Sequence, residues 1–322
     1  MAGLRPTGTN NINWARAFHH KYMEGMGMDI GFIGLGIMGK PMVKNLLKAG
    51  IGVTCFDINK AAVGECATAG AKAASSVAEV ASLCTVIITM LPNSPEVSTA
   101  ALGKDGIADN AKSGTLLVDM SSIAPLAARE IHGALKTKGI RMLDAPVSGG
   151  EPKAIDGTLS VMVGGAKADF DEAKPIIEHM AKSIVHVGEI GAGNTAKLAN
   201  QIVVAVNIAA LAEAMALSVK AGVDPELVLQ AIRGGLAGSA VMEAKAPMML
   251  DRNIKPGFKI NLHIKDLGNI IDTGHGVGVP LPLSAAVMEM MQALKVDGLG
   301  DADHSSLVRY YEKLANCEVK RG

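Results

Sequence analysis

The sequence feature that most constrains the fold is a glycine-rich turn between a short apolar run and a helical stretch. The apolar run covers residues 30–33, the pattern G-x-G-x-x-G covers 34–39, and the helical pattern continues over 41–48. A turn in this context brings the backbone close to a pyrophosphate at a helix N-terminus. It predicts a dinucleotide-binding unit in preference to a tight turn without a ligand.

An acidic residue follows at the end of the second predicted strand, residues 53–56. Asp57 lies 23 residues after Gly34, which is near the spacing of ~20 at which a carboxylate bonds the ribose hydroxyls of the cofactor. The spacing predicts NAD as the cofactor. NADP stays open as an alternative, because Lys60 could help hold a phosphate and Asp57 could instead cap a helix from Asn59 onward.

Apolar runs alternate with helix-like stretches through the first part of the chain. This alternation predicts an α/β domain with a parallel, doubly wound sheet of the Rossmann type over residues 28–191. Two late strands are expected around a helix at 168–182. Beyond the first two strands, the predicted strands are 85–90, 115–118, 141–143, 159–163 and 184–187.

The strand pattern ends at Gly191-Ala192-Gly193, and long helical sequence rich in alanine, leucine and methionine follows. It predicts an all-α second domain over 192–322, connected by a long first helix. The most apolar stretch, 202–219, contains Asn207, Glu213 and Ser218, which favours a helix buried between domains over a membrane span. The predicted helices are 194–221, 225–233, 262–275, 285–294 and 305–315.

Residues 1–27 show no alternation and no heptad, and an apolar core of the signal-peptide kind is absent from them. We interpret them as a leader or extension before Met28 that lies outside the fold, with an organelle presequence as the alternative.

Composition excludes several classes of function. Lysine plus arginine and aspartate plus glutamate are both 31 and aromatic residues are 3%, which argues against nucleic-acid and membrane-surface partners. The cysteines form no C-x-x-C pair and are too sparse for a disulfide framework, so we predict a reducing compartment, the cytoplasm. They are Cys55, Cys66, Cys84 and Cys317.

Two polar clusters in the sequence do not predict a metal site. The run Asp301 to His304 predicts a capped helix start before Ser305, and no histidine or cysteine cluster has zinc spacing. His263 and Asp266, one helical turn apart, are expected to form a surface pair. The sequence contains no G-x-S-x-G motif, which would have suggested a hydrolase.

Five segments, matching in order and spacing, resemble the β-hydroxyacid dehydrogenases. They are GFIGLGIMGKPMVKNLLKAG, Met90-Leu91-Pro92, DMSSIAP, DAPVSGG and GAGNTAKLAN, and the resemblance covers residues 28 to about 313. It implies hydride transfer between NAD and a small hydroxyacid or its semialdehyde, by a homo-oligomer that is a dimer or a tetramer.

Within the family, KLANQ, AIRGGLAGS and YYEKLA look closest to the branch that reduces 2-hydroxy-3-oxopropionate to D-glycerate. Oxidation of 3-hydroxyisobutyrate, or reduction of another short-chain semialdehyde, is the alternative within the same chemistry. A dinucleotide-sensing module without turnover is the alternative from another class.

The resemblance also assigns residues. It makes Lys197 the catalytic lysine with Asn200 beside it. Related dehydrogenases commonly have K-x-x-N-N here, so Gln201 is a departure that suggests a different substrate specificity. The implied substrate contacts are Ser122, Ser148, Gly149, Gly150 and Gln201. The implied cofactor contacts are Gly34, Leu35, Gly36, Ile37, Met38, Gly39, Asp57, Met90, Leu91, Pro92, Ser122 and Lys265.

Physical chemistry supports two of these assignments and leaves one open. A Ser-Gly-Gly turn offers a hydroxyl and unobstructed N–H groups to a carboxylate. Lys197 lies just after Gly193 at the start of a helix, where the macrodipole should lower its pKa toward the range useful for proton transfer. Lys265 could instead be the ion-pair partner of Asp266.

Overall fold

The computed structural model describes residues 30–321, and the predicted leader 1–27 lies outside the described residues. In the described part, nine strands form one sheet. They are β1 Ile30–Ile33, β2 Val53–Phe56, β3 Lys72–Ala73, β4 Val86–Thr89, β5 Leu116–Asp119, β6 Arg141–Asp144, β7 Val147–Ser148, β8 Leu159–Gly164 and β9 Ala181–Gly188.

Helices connect these strands and cover both faces of the sheet. They are α1 Gly39–Lys48, α2 Lys60–Thr68, α3 Val77–Leu83, α4 Ser94–Leu102, α5 Ile107–Asn110, α6 Pro125–Lys136, α7 Gly150–Asp156 and α8 Lys167–Ile177. In β1, Ile30 and Phe32 pack into one core and Ile33 into the core on the other face. A strand buried on both faces is typical of a parallel sheet covered by helices.

The strand order is β3-β2-β1-β4-β5-β6-β8-β7, with β9 paired to β8. Strands β1 to β6 are all parallel, which confirms the doubly wound, Rossmann-type domain. Beyond β6 the sheet is mixed, because β8 is antiparallel to β6 and β7 whereas β9 is parallel to β8. The direction of strand addition reverses between β1 and β4, and ligands of open α/β sheets bind in the crevice at such a point.

The remainder of the described chain is helical, as predicted. Its helices are α9 Ala192–Lys220, α10 Pro225–Ile232, α11 Ala240–Leu250, α12 Ile260–Gly276, α13 Pro282–Leu294 and α14 Val308–Ala315. Helix α9 is long and apolar enough to cross a membrane by length and composition, with a mean hydropathy of 2.1 in its most apolar window. Ile208, Ala212 and Met215 of α9 are buried in the core that these helices share.

The structure differs from the sequence prediction at several boundaries. Helix α8 ends at Ile177, not 182, because β9 begins at Ala181 and pairs with β8. Helix α11 was not predicted, since Pro247 lies inside it and proline ordinarily ends a helical pattern. The last predicted helix begins as a 3-10 turn, His304–Leu307, before α14.

Candidate active site

The three glycines of the turn after β1 meet three different requirements. Gly34 has φ +101°, and a Cβ there would lie 2.3 Å from the Met90 carbonyl oxygen. A Cβ on Gly39 would lie 1.9 Å from the Gly34 carbonyl oxygen, so α1 can pack against the turn only without a side chain. Gly36 is exposed, and a Cβ there would meet no atom within 4 Å. The turn is therefore closed on the protein side and open on the solvent side.

The N-terminus of α1 is available to an anion. Met38 at its N-cap makes no side-chain cap hydrogen bond, and the first turn contains no acidic residue. Free N–H groups and the positive end of the helix macrodipole attract a phosphate. The donor set and the open approach over Gly36 fit a dinucleotide pyrophosphate.

Asp57 is connected to the same turn. Its Oδ2 accepts a 2.6 Å hydrogen bond from the Leu35 N–H, and its Oδ1 accepts one of 2.7 Å from the Asn59 N–H. Asn59 is the N-cap of α2, because its side chain accepts from the Ala61 N–H. The alternative interpretation of Asp57 as that cap is wrong, and its half-buried carboxylate lies at the edge of the turn.

The glycine geometry gives a matched pair of predictions. Gly36→Ala should leave the melting temperature unchanged and weaken NADH binding, because the added methyl group points into open space where the cofactor would approach. Gly39→Ala should lower the stability by about 1–3 kcal/mol or more, because the methyl group meets backbone. Thermal unfolding and NADH fluorescence titration measure the two effects. Equal losses of stability in both variants would contradict this account.

The ends of β4 and β5 lie next to the turn. The Met90 N–H donates to the Ile33 carbonyl, and the Leu91 N–H donates to Ser121 Oγ at 2.9 Å. The carbonyl of Ser122 accepts a 2.9 Å hydrogen bond from Lys265 Nζ on α12. The structure thus brings the predicted cofactor residues of the sheet domain and Lys265 to one place.

Lys197 is 7% exposed on the buried face of α9. Its Nζ donates a 3.2 Å hydrogen bond to Gln201 Oε1, which also accepts one of 2.9 Å from Asn200 Nδ2. Gln201 Nε2 donates to Asp266 Oδ2 at 2.5 Å. The side-chain amide of Gln201, a predicted substrate contact, is therefore bonded to three side chains.

Asp266 continues this network to the sheet domain. Its Oδ1 lies 2.8 Å from Lys265 Nζ, the same ammonium that bonds the Ser122 carbonyl. The ion pair considered as an alternative for Lys265 is therefore present. A continuous polar chain runs from Lys197 through Gln201, Asp266 and Lys265 to Ser122.

The pKa of Lys197 is lowered to about 8, mainly by burial. The Asp266 carboxylate opposes this shift and the Lys265 ammonium adds to it. The predicted direction is confirmed, but its main cause differs. Lys197 is the sixth residue of α9, and the effect of a helix end falls off within the first turn.

Asp144, at the end of β6, holds the start of α9. Its carboxylate accepts hydrogen bonds of 2.7 Å from the N–H groups of Gly191 and Asn194. Asn194 Oδ1 accepts from the Ile123 N–H at 3.0 Å. Burial raises the pKa of Asp144 to about 6, while these N–H groups oppose the shift. Asp144 thereby attaches the helix that carries Lys197 to the carboxyl end of β6.

The predicted carboxylate loop follows Asp144 directly. Ser148 ends β7, and Gly149 and Gly150 have φ values of +137° and +68°, which L side chains rarely adopt. A Cβ on Gly150 would lie 3.6 Å from the Gly257 carbonyl oxygen, so the helical domain borders this loop. The glycines leave the loop N–H groups uncovered by side chains of their own.

Three buried polar residues of these networks were not assigned to the site from the sequence: Asp144, Asn194 and Asp266. Asp144 begins the segment DAPVSGG, Asn194 lies within GAGNTAKLAN, and Asp266 follows Lys265. Their positions within or beside these motifs were the only sequence signal that could have pointed to the site. The chain itself does not reveal which of their side chains become buried.

The interpretation of His263 and Asp266 as a surface pair is wrong. They are 0% and 2% exposed, and Asp266 binds Gln201. Asp303 does cap the turn that follows it, accepting from the Ser305 N–H at 2.9 Å. Among residues 30–321, no group of three or more histidine, cysteine, aspartate or glutamate side chains is placed to hold a metal.

Comparisons with known proteins agree with this geometry. Residues 29–188 match the NAD-binding domain of 6-phosphogluconate dehydrogenase, and residues 191–311 match the NAD-binding domain of NADP-dependent 3-hydroxyisobutyrate dehydrogenase. The 2-hydroxy-3-oxopropionate reductase of Escherichia coli is 41% identical over 292 residues, covering 91% of this chain and 100% of that protein. The 2-(hydroxymethyl)glutarate dehydrogenase of Eubacterium barkeri is 39% identical over 294 residues, covering 91% and 98%.

A solved structure shows the same architecture. The 3-hydroxyisobutyrate dehydrogenase of Mycobacterium tuberculosis with L-serine superimposes with a TM-score of 0.82 at 34% identity, covering 88% of this chain and 98% of that one. Both domains thus match NAD(P)-binding oxidoreductases that act on CH–OH groups. The chain belongs to the β-hydroxyacid dehydrogenase family.

Proposed function

We propose that the protein catalyses the NAD-dependent reduction of 2-hydroxy-3-oxopropionate to D-glycerate. The observation that carries this proposal is the buried lysine Lys197 in the sequence KLANQ, in a chain 41% identical to a reductase of that substrate. When bound, the reduced dinucleotide would supply the hydride that the aldehyde carbon takes up. The residues of the chain then have to hold the substrate, exclude water and deliver one proton.

Lys197 is the proposed proton donor. The carbonyl oxygen becomes an alkoxide as the hydride arrives, and the Lys197 ammonium gives it a proton. A free lysine titrates near ~10.4, so a pKa of about 8 makes this ammonium a better acid at neutral pH. In the reverse oxidation the neutral amine accepts the proton from the hydroxyl group. Asn200, bonded to the same amide oxygen as Lys197, is proposed to act beside it.

The substrate carboxylate is proposed to bind at Ser148, Gly149 and Gly150, with Ser122 where substrate and nicotinamide meet. The positive φ values of the two glycines support this, because they turn the backbone where a side chain would be strained. Gln201 is proposed to face the substrate from α9. Its bonds to Lys197 and Asp266 would then be part of the substrate-binding wall.

We propose NAD as the preferred cofactor over NADP. The carboxylate of Asp57 lies at the edge of the glycine turn and would repel a 2′-phosphate while accepting bonds from ribose hydroxyls. Met90, Leu91, Pro92 and Lys265 complete the proposed cofactor contacts.

The two functional units are proposed to be residues 28–191 for the dinucleotide and 192–322 for substrate and self-association. Exposed apolar residues on α9, among them Val203 at 59% and Leu217 at 70%, support a homo-oligomer through this helix. The cytoplasm is the proposed compartment, and no disulfide joins cysteines within residues 30–321. Multi-angle light scattering gives the subunit number.

The substrate assignment is tested by measuring NADH and NADPH consumption with purified protein. Tartronate semialdehyde, another name for 2-hydroxy-3-oxopropionate, should give the highest kcat/KM. The comparison set is methylmalonate semialdehyde, the oxidised form of 3-hydroxyisobutyrate, together with succinate semialdehyde and glyoxylate. A better efficiency with methylmalonate semialdehyde would replace the substrate and leave the chemistry intact. NADH binding without turnover of any of them would favour a sensing module.

A further inference from the structure

Two buried histidines lie next to the Lys197 network without a role in the chemistry described above. His263, on α12, is 0% exposed, and His304, in the 3-10 turn, is 4% exposed. Their Nδ1 atoms are 3.0 Å apart, and their rings are 5.0 Å apart by centroid. The Phe258 ring packs against both, at 5.5 Å from His263 and 5.3 Å from His304.

The contacts of the pair determine its tautomers. His263 Nε2 lies 3.5 Å from the Gln201 carbonyl oxygen, which can only accept a hydrogen bond. His263 therefore carries its proton on Nε2, and its Nδ1 accepts from the Nδ1–H of His304. The opposite arrangement would place a nitrogen lone pair against the Gln201 carbonyl and bury an N–H of His304 without an acceptor.

This arrangement requires both rings to be neutral. His304 Nε2 is then a buried lone pair, and it has no hydrogen-bond partner among residues 30–321. Burial lowers the pKa of His263 to about 4, and that of His304 well below its usual value. The ammonium groups of Lys245 on α11 and Lys197 on α9 act in the same direction, against the carboxylates of Asp266 and Asp303.

A neutral pair matters because of Asp266. His263 and Asp266 are three residues apart on α12. The Asp266 carboxylate accepts a hydrogen bond from Gln201 Nε2 and forms an ion pair with Lys265 Nζ. A charged imidazolium one turn away would compete for that carboxylate. Gln201 would then lose the partner that holds its amide, and Lys197 would lose the oxygen that orients its ammonium.

The position of His304 is itself fixed by Asp303. The Asp303 carboxylate accepts from the N–H groups of Gly257, Phe258 and Ser305 at 2.9–3.0 Å and lies 3.0 Å from Lys245 Nζ. These bonds connect the turn that carries His304 to the loop that carries Phe258.

We propose that His304 and His263 are positioning residues for the reaction: their hydrogen bond keeps Asp266 available to Gln201, whose amide orients the Lys197 ammonium. The inference rests on the proposed role of Lys197 as the proton donor. It adds an indirect requirement for two residues that touch neither substrate nor cofactor in the proposed reaction.

The test compares three variants. His304→Phe keeps an aromatic ring against Phe258 and removes the Nδ1–H donor. His304→Asn places an amide N–H near the position of Nδ1 and should restore the bond to His263. His186→Phe is the matched control, because His186 also packs on a phenylalanine, Phe170, and bonds a carbonyl, that of Gly165, in the sheet domain.

For His304→Phe we expect kcat for reduction to fall about 10-fold, with the Kd for NADH unchanged. The loss of activity at high pH should begin about one pH unit lower, because the Lys197 ammonium has lost a hydrogen-bond acceptor. His304→Asn should recover most of kcat and the original pH profile, and His186→Phe should match the wild type in both. Melting temperatures are measured for all variants.

A wild-type kcat and pH profile in His304→Phe would overturn the proposal. The proposal would also be overturned if His304→Phe and His304→Asn lost kcat equally, with matching falls in melting temperature and no shift of the pH profile. The histidine pair would then contribute only to packing. The assay uses whichever semialdehyde the wild type reduces best, so a wrong substrate assignment does not affect the result. Wild-type kcat in Lys197→Ala would overturn the proposed role of Lys197 and, with it, this inference, while the substrate assignment is decided by its own assay.

Discussion

Replacing Lys197 by alanine is expected to lower kcat for reduction by about 10² to 10⁴-fold while leaving the Kd for NADH unchanged. A positioned general acid contributes rate enhancements of this size, and each ~1.4 kcal/mol of barrier is one factor of ten, so the loss corresponds to roughly 3–5 kcal/mol. Lys197 lies on α9 and bonds Gln201, whereas the glycine turn lies between β1 and α1. Stopped-flow turnover and NADH fluorescence titration separate the two quantities.

Lys197→Arg is the matched variant and should not restore turnover. A guanidinium keeps the positive charge, but its pKa above ~12 makes it a poor proton donor. Near wild-type turnover in this variant would mean that Lys197 stabilises the alkoxide by charge alone and that water supplies the proton. Loss of NADH affinity in Lys197→Ala would contradict the placement of this residue beside the substrate.

The pH dependence of the wild type gives an independent check of Lys197. Reduction requires the ammonium, so its rate should be level below the pKa of about 8 and fall tenfold per pH unit above it. Oxidation requires the neutral amine, so its rate should fall as the pH drops below the same value. In Lys197→Ala, the rate of reduction should no longer fall above about pH 8 for this reason.

Asp57→Arg is expected to change the preference between NADH and NADPH by about 10² to 10⁴-fold in the ratio of kcat/KM values. Two terms change together: the carboxylate no longer repels the 2′-phosphate, and a guanidinium can pair with it. Hydrogen bonds to charged groups contribute about 1.5–3 kcal/mol each, which gives this range when two such terms add. Steady-state kinetics with both cofactors measure the ratio.

Asp57→Asn controls for the second function of this side chain. Asp57 also accepts the Leu35 N–H, so its loss should weaken binding of both cofactors by disturbing the glycine turn. Asparagine keeps an acceptor oxygen and removes the charge, so it should reduce discrimination without creating a preference for NADPH. An unchanged ratio in Asp57→Arg would show that the carboxylate only supports the turn.

The sequence alone determined the features whose cause is local. The short apolar strands, the three glycines from Gly34 to Gly39 and the acidic residue after β2 follow from backbone geometry and side-chain periodicity within a few residues. The fold class and the cofactor class could be predicted for that reason. The resemblance added Lys197 and the segments around it, because a motif carries its residues together.

Only the tertiary structure decided which buried polar groups meet. Asp266 bonds Gln201 across 65 positions, Asp144 bonds Asn194 across 50, and His304 bonds His263 across 41. A sequence pattern records which positions face the core through their apolar residues, so a polar residue among them looks like a break in the pattern or a surface position. Its burial becomes favourable only when a partner from a distant segment satisfies its hydrogen bonds, and that partner is present only in the folded chain.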